Sequence, residues 1–288
     1  MNKVLSVFFA LFRIYLISGC ASISAQKIDV GKLDAALGEE VILIPLAVHG
    51  GTVKLETTVF HPKDSGMHPL VIINHGANGR LPSFHDQERF RPEALAGFFL
   101  DRGYLVAVPM REGFARSTGE CKFNCDHAEY ALTYERDIEG VITYFVSHGA
   151  ADPKEVLVIG QSNGGMVTLG YASSAPVAKA IINISGGIDT YGSWCDWKAG
   201  MMKAAAVLGA TSHIRSLWMY AKDDPIFPPS VSKPFFEAYE AAGGKAQLTL
   251  FSGGGHGFAL EQGSEHVWGK TVSDFLERTG LPFEVVKK

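Results

Sequence analysis

The chain has 288 residues, 47% apolar and 19% charged, a balance that fits a globular protein and excludes a disordered or fibrous one. Lysine and arginine number 26 against 30 aspartates and glutamates, a formal charge of −4, so no basic excess is available to neutralise a run of phosphates. Nucleic acid is therefore not an expected partner. The 32 glycines and 13 prolines are dispersed, as they would be in many turns between short elements.

The first segment has to be set aside before the fold is read. Lys3 precedes a stretch, Val4 to Ile17, that is apolar apart from Ser6 and Arg13 and ends in Ile17-Ser18-Gly19-Cys20. A short cationic start, an apolar core and small residues before a cut read as a secretory signal over residues 1–19. At about 14 residues the core is shorter than the ~20 needed to span a bilayer. The same string resembles the lipobox of bacterial lipoproteins, which implies lipidation of Cys20 as the new N-terminus, with a cut after Ala25 as the alternative. The expected location is the bacterial periplasm, either free or anchored through that lipid, which would be the only contact with a membrane. Residues 20–38 then form a polar leading segment, and residues 39–288 one domain.

Glu40 to Val48 and Thr52 to Phe60 are β-rich runs separated by His49-Gly50-Gly51, a hairpin signal. Six apolar runs follow, around Leu70–Ile73, Tyr104–Val108, Val156–Ile159, Ala180–Ile184, Leu217–Tyr220 and Gln247–Phe251. Runs without polar alternation are strands buried on both faces, which predicts a mostly parallel sheet covered by helices. The helices are expected at Pro92–Arg102, Asp126–His148, Asn163–Ala172, Lys198–Leu208, Ser230–Ala242 and Glu265–Arg278. The predicted architecture is a doubly wound α/β fold with eight strands and helices on both faces. Residues 186–215 admit two readings, an ordinary crossover helix with a long loop or a small lid. Tyr191, Trp194 and Trp197 in that stretch are candidates for shaping an apolar substrate pocket.

The chemistry concentrates at strand ends. Val156–Ile159 runs into Gly160-Gln161-Ser162-Asn163-Gly164-Gly165 and then a helix, the setting of a nucleophile elbow, in which the glycines permit a sharp turn that exposes Ser162 Oγ. A serine hydroxyl needs a base to take its proton and a carboxylate to orient that base, expected in the chain order Ser, Asp, His. Asp224, with Asp223 as the alternative, follows the Leu217–Tyr220 run, and His256 lies among glycines after the last run. Two N–H donors should meet the developing oxyanion: that of Asn163, and one from Asn74-His75-Gly76-Ala77-Asn78-Gly79, with Ala77 preferred and Gly76 and Asn78 as competitors. No cofactor is called for. A zinc site finds poor support in one cysteine pair without a second ligand pair.

At these residues the chain resembles the α/β-hydrolase superfamily, most closely its dienelactone-hydrolase-like and prolyl-oligopeptidase-like serine hydrolases. The likeness covers about residues 40–280 and is carried by His75-Gly76, Gly160 to Gly165, Asp224 to Pro228 and His256-Gly257-Phe258. It implies an acyl-enzyme mechanism, and it places Pro109 to Ser117 beside the active site, making His75 and Arg111 pocket candidates. Dienelactone hydrolases use cysteine where Ser162 stands, a departure from their lactone specificity. The expected activity is cleavage of a small carboxylic ester, with short peptides or amides, or a non-catalytic envelope binding protein, as alternatives. Cys121–Cys125 is the first candidate disulfide because the loop is local, and Cys195 with either partner is the second.

Overall fold

The computed structural model describes residues 24–286 except 49, 122, 175 and 190–194. The signal segment, Cys20, Tyr191 and Trp194 lie outside the described residues. The long hairpin forms as expected from β2 (Glu39–Val48) and β3 (Gly51–Phe60), paired in register from Glu39–Phe60 to Val48–Gly51. Beyond it run β4 (His68–Asn74), β5 (Leu105–Pro109), β6 (Ala151–Gln161), β7 (Ala180–Ile184), β8 (Arg215–Ala221) and β9 (Ala246–Phe251). With a short β1 at Gln26–Lys27, the sheet order is β1-β2-β3-β5-β4-β6-β7-β8-β9, antiparallel up to the β3–β5 pair and parallel from β5 to β9.

Among the described residues nine strands stand where eight were expected. The additional one, β1 (Gln26–Lys27), pairs with Leu43 and Ile42 from within the polar leading segment. Two exposed polar residues bury no apolar surface, so hydrophobic patterning gives no signal for such a strand.

Successive residues of the central strands feed different cores. Leu70 and Ile72, Val156 and Val158, and Trp218 and Tyr220 pack on one face, under α2 (His127–Thr133), α3 (Glu135–Ser147), α4 (Asn163–Ala172), α5 (Trp197–Thr211) and α6 (Pro229–Ala241). Val71 and Ile73, Leu157 and Ile159, and Leu217 and Met219 pack on the other, under α1 (Glu93–Leu100) and α7 (Glu265–Thr279). Apolar runs without alternation therefore arise because both faces are dry. The helix expected over Asp126–His148 is two helices, broken at Tyr134, where the backbone turns to φ −93°, ψ 0°.

The disulfide differs from the first expectation. Cys125 pairs with Cys195 across 70 residues, with their Cα atoms 5.7 Å apart, and Cys121 is free. The bond fastens the loop before α2 to the loop before α5, elements that also pack together. α5 buries Met201, Ala204, Ala205 and Leu208 in the helical layer, as a crossover helix does.

Candidate active site

Four loops leave the carboxyl ends of β4, β6, β8 and β9 and gather along one edge of the sheet, where sites form in open parallel sheets. The sharpest is the turn from β6 into α4. Ser162 adopts φ 56°, ψ −124°, a conformation costly for a residue with a Cβ and maintained only when the surroundings fix it. They do so closely: a side-chain carbon at Gly160 would overlap Gly164 O, and one at Gly164 would overlap Asn74 O. The backbone around Ser162 is further tied by Ser162 N–H to Ile184 O at 3.0 Å and by Gly187 N–H to Ser162 O at 3.0 Å. Asn163 opens α4, so its N–H belongs to the unpaired first turn at the positive end of the helix dipole.

Asp224 and His256 meet. The fully buried Asp224 side chain accepts a hydrogen bond from His256 Nδ1 at 2.9 Å, and its other oxygen accepts from the N–H groups of Ile226 and Phe227 at 2.9 and 3.0 Å. Burial alone would raise the Asp224 pKa, but the His256 hydrogen bond and the two backbone donors outweigh it and keep the carboxyl below its usual range. With Asp224 ionised, Nδ1 is the protonated nitrogen and Nε2 is free to act as a base. The neighbouring Asp223 is exposed and accepts instead from Gly255 N–H at 3.0 Å, bracing the loop that carries His256.

The elbow and the histidine loop meet through Gln161, whose Nε2 donates to His256 O at 3.4 Å. Among the described residues no hydrogen bond joins Ser162 Oγ to the imidazole; such bonds commonly tighten only with substrate. The loop after β4 approaches the elbow from the other side. A side-chain carbon at Gly76 would lie 2.8 Å from Gln161 Oε1 and 3.2 Å from Ser162 Cβ, so the loop passes directly beside Ser162 at Gly76.

His75 and Arg111 lie elsewhere than expected. Both are fully buried, so they stand behind the loop that follows β4 and not on the wall of a pocket. Arg111 N–H donates to His75 Nε2 at 3.0 Å, and His75 Nδ1–H donates to Gly76 O at 2.5 Å, which makes the ring a neutral Nδ1–H tautomer. Its pKa is held well below the ordinary value by burial and by the Arg111 charge. Of the aromatic candidates, half-buried Trp197 lies with its ring 6.1 Å from that of Phe227, which in turn is 5.5 Å from the His256 ring. Phe227, Gln161 and Gln87 were missed in the sequence. Phe227 sits inside the acid turn motif and Gln161 inside the elbow, while Gln87, which donates to Gly76 O at 3.1 Å, lies in a loop with no pattern to mark it.

Among the described residues no cluster of three or more His, Cys, Asp or Glu is placed to hold a metal.

The sheet, the elbow and the strand-end loops define an α/β hydrolase, and the chain is a serine hydrolase. It belongs to the X-Pro dipeptidyl-peptidase (S15) family, whose model matches residues 50–225, a stretch that takes in Ser162 and Asp224 and ends before His256. Solved structures of similar fold include a dienelactone hydrolase from Klebsiella pneumoniae (20% identity, TM-score 0.58, covering 83% of this chain and 98% of that one). An acetyl xylan esterase from Paenibacillus sp. R4 is 16% identical with a TM-score of 0.63, and 88% of each chain is covered. An acylaminoacyl peptidase from Pyrococcus horikoshii is 15% identical with a TM-score of 0.62; 87% of this chain is covered, but it spans only 43% of the peptidase. No curated protein matches the chain.

Proposed function

We propose that the chain is an exported serine hydrolase that cleaves small carboxylic esters through an acyl-enzyme on Ser162. His256 Nε2 takes the hydroxyl proton as Ser162 Oγ attacks the carbonyl carbon, and the N–H groups of Asn163 and Ala77 receive the oxyanion. The tetrahedral intermediate collapses as the imidazolium returns the proton to the leaving alcohol. Water, deprotonated by His256, then releases the acid. The observation that carries this reading is the 2.9 Å bond between ionised Asp224 and His256, on a loop tied through Gln161 to the strained Ser162 turn. Half-buried Trp197, whose ring neighbours the buried Phe227 that adjoins His256, favours an apolar group on the substrate. The acetyl xylan esterase and the dienelactone hydrolase, similar to this chain over most of their own lengths, support an ester as the bond cleaved.

The family match favours a second reading, removal of an X-Pro dipeptide by the same three side chains. A panel of p-nitrophenyl esters and Xaa-Pro p-nitroanilides separates the two. Turnover of esters and not of anilides supports the first reading, and the reverse supports the second. Ser162→Ala is expected to abolish either activity with the fold intact.

Export is supported by the signal-like residues 1–19 and by the Cys125–Cys195 disulfide, a bond suited to an oxidising compartment. Intact mass of the protein recovered from membranes tests it: the mass of a chain starting at an acylated Cys20 is expected, and an uncut chain would contradict it.

A further inference from the structure

A buried cation stands behind the oxyanion site with no role in the steps above. Arg111 follows β5, its side chain is wholly removed from solvent, and among the described residues the hydrogen bonds of its guanidinium end on neutral oxygens. Nη1 donates to His75 O at 2.5 Å and Nη2 to Asn163 Oδ1 at 2.7 Å, while among the described residues Nε has no partner. Tyr130 O–H, from α2, donates to the same Asn163 Oδ1 at 2.9 Å. The remaining faces of the guanidinium are aromatic, with the Phe114 ring centroid at 4.9 Å and that of Tyr134 at 5.6 Å.

This arrangement is costly for stability alone. A fully desolvated guanidinium bonded to no carboxylate forfeits much of its hydration, and an apolar residue of similar volume would fill the space at less cost. What the arginine does that an apolar residue could not is join two segments that have no covalent connection nearby. One is the loop after β4, gripped at His75 O by the side chain and at His75 Nε2 by the Arg111 backbone N–H. The other is the first turn of α4, gripped at Asn163. These two segments supply the proposed oxyanion donors, Ala77 N–H and Asn163 N–H.

We propose that Arg111 is the positioning residue of the oxyanion hole, bridging His75 and Asn163 so that the two donor N–H groups are held in register for the tetrahedral intermediate. The inference rests on the Ser162 mechanism proposed above. Arg111 touches neither substrate nor nucleophile. Its planar fork reaches two acceptors at once, which a lysine ammonium on a narrower stem does not reproduce. Its positive charge also lies, in a dry environment, behind the point where negative charge develops, which favours the transition state over the ground state.

The test compares Arg111→Met, Arg111→Lys, Asn163→Ala and Arg111→Lys/Asn163→Ala with the wild type on p-nitrophenyl acetate, and measures inhibition by phenylboronic acid, whose tetrahedral adduct mimics the intermediate. Folding is checked by near-UV circular dichroism. For folded Arg111→Met we expect kcat to fall about 100-fold, the scale of one lost oxyanion donor, with KM within about threefold and boronate affinity falling in parallel with kcat/KM. Arg111→Lys should retain more activity than the methionine variant. Because the arginine acts through Asn163, Arg111→Lys should cost less in the Asn163→Ala background than alone, and this comparison serves where Arg111→Met does not fold. A folded Arg111→Met with wild-type kcat, a rise in KM alone, or additive losses in the double variant would each overturn the inference. Ser162→Ala keeps the two claims apart: if it stays active the triad reading fails, whereas if it is inactive and the Arg111 result is negative, only the bridge fails.

Discussion

The choice between Asp223 and Asp224 shows what a single side chain's direction decides. Adjacent residues at a strand end point to different sides, and here the buried one faces His256 while the exposed one holds Gly255 N–H. Asp224→Asn is therefore expected to lower kcat by about 10³ to 10⁴, as for an orienting carboxylate whose loss leaves the wrong imidazole tautomer, whereas Asp223→Asn should cost less than about tenfold. Comparable losses at both positions would contradict the assignment. Since the folded Asp224 pKa lies below the ordinary one, its charge contributes stability at neutral pH that is lost only as pH falls through the acidic range. At this scale the sequence marked Ser162, His256 and the acid turn, because strand-end position and residue type are both local. It did not reveal the direction in which Arg111 points. The motif placed that residue near the site, but burial behind His75 and Asn163 depends on contacts 36 and 52 residues away.

The elements were legible where burial leaves an apolar run or a helical period. Central strands and the amphipathic α3 read clearly, whereas β1 lacks apolar residues and the break at Tyr134 interrupts a pattern that is helical on both sides. The disulfide was legible only as the second candidate, Cys195 with either partner, because proximity of Cys125 to Cys195 is created by the packing of α2 on α5. Cys125→Ser and Cys195→Ser should each lower stability by about 2–4 kcal/mol, and the double variant by no more than either alone; additive losses would argue against the pairing. A second tie acts at the start of the sheet. The buried Glu39 of β2 accepts from Arg89 at 2.6 Å and from Arg91 at 2.6 and 2.8 Å, joining the hairpin to the segment that precedes α1. Burial would raise its pKa, but the two guanidinium groups and the Asp34 N–H bring it down to about 2. A depressed carboxylate stabilises the fold above its unfolded pKa and ceases to do so as pH falls from about 4.5 toward 2. Glu39→Gln should thus lower Tm by roughly 5 °C at pH 7 and by clearly less at pH 3; an equal effect at both would show that the charge is not what matters.

For the molecule as a whole, the fold follows from one physical condition, a parallel sheet dry on both faces, whose strand ends lie along a common edge. That condition was written in the apolar runs, and it brings together residues as far apart in the chain as Asn74, Ser162, Asp224 and His256. The family match over residues 50–225 and the fold shared with esterases and peptidases agree on hydrolysis and divide on the bond, because the sheet and elbow are common to both while the walls of the site are not. The central claim is that convergence at this edge makes one serine nucleophilic. Exposing the folded protein to a fluorophosphonate and locating the adduct by peptide mass tests it directly. We predict one adduct, on Ser162, lost in His256→Ala. A folded protein that stays unlabelled, or carries its adduct on another residue, would contradict the account.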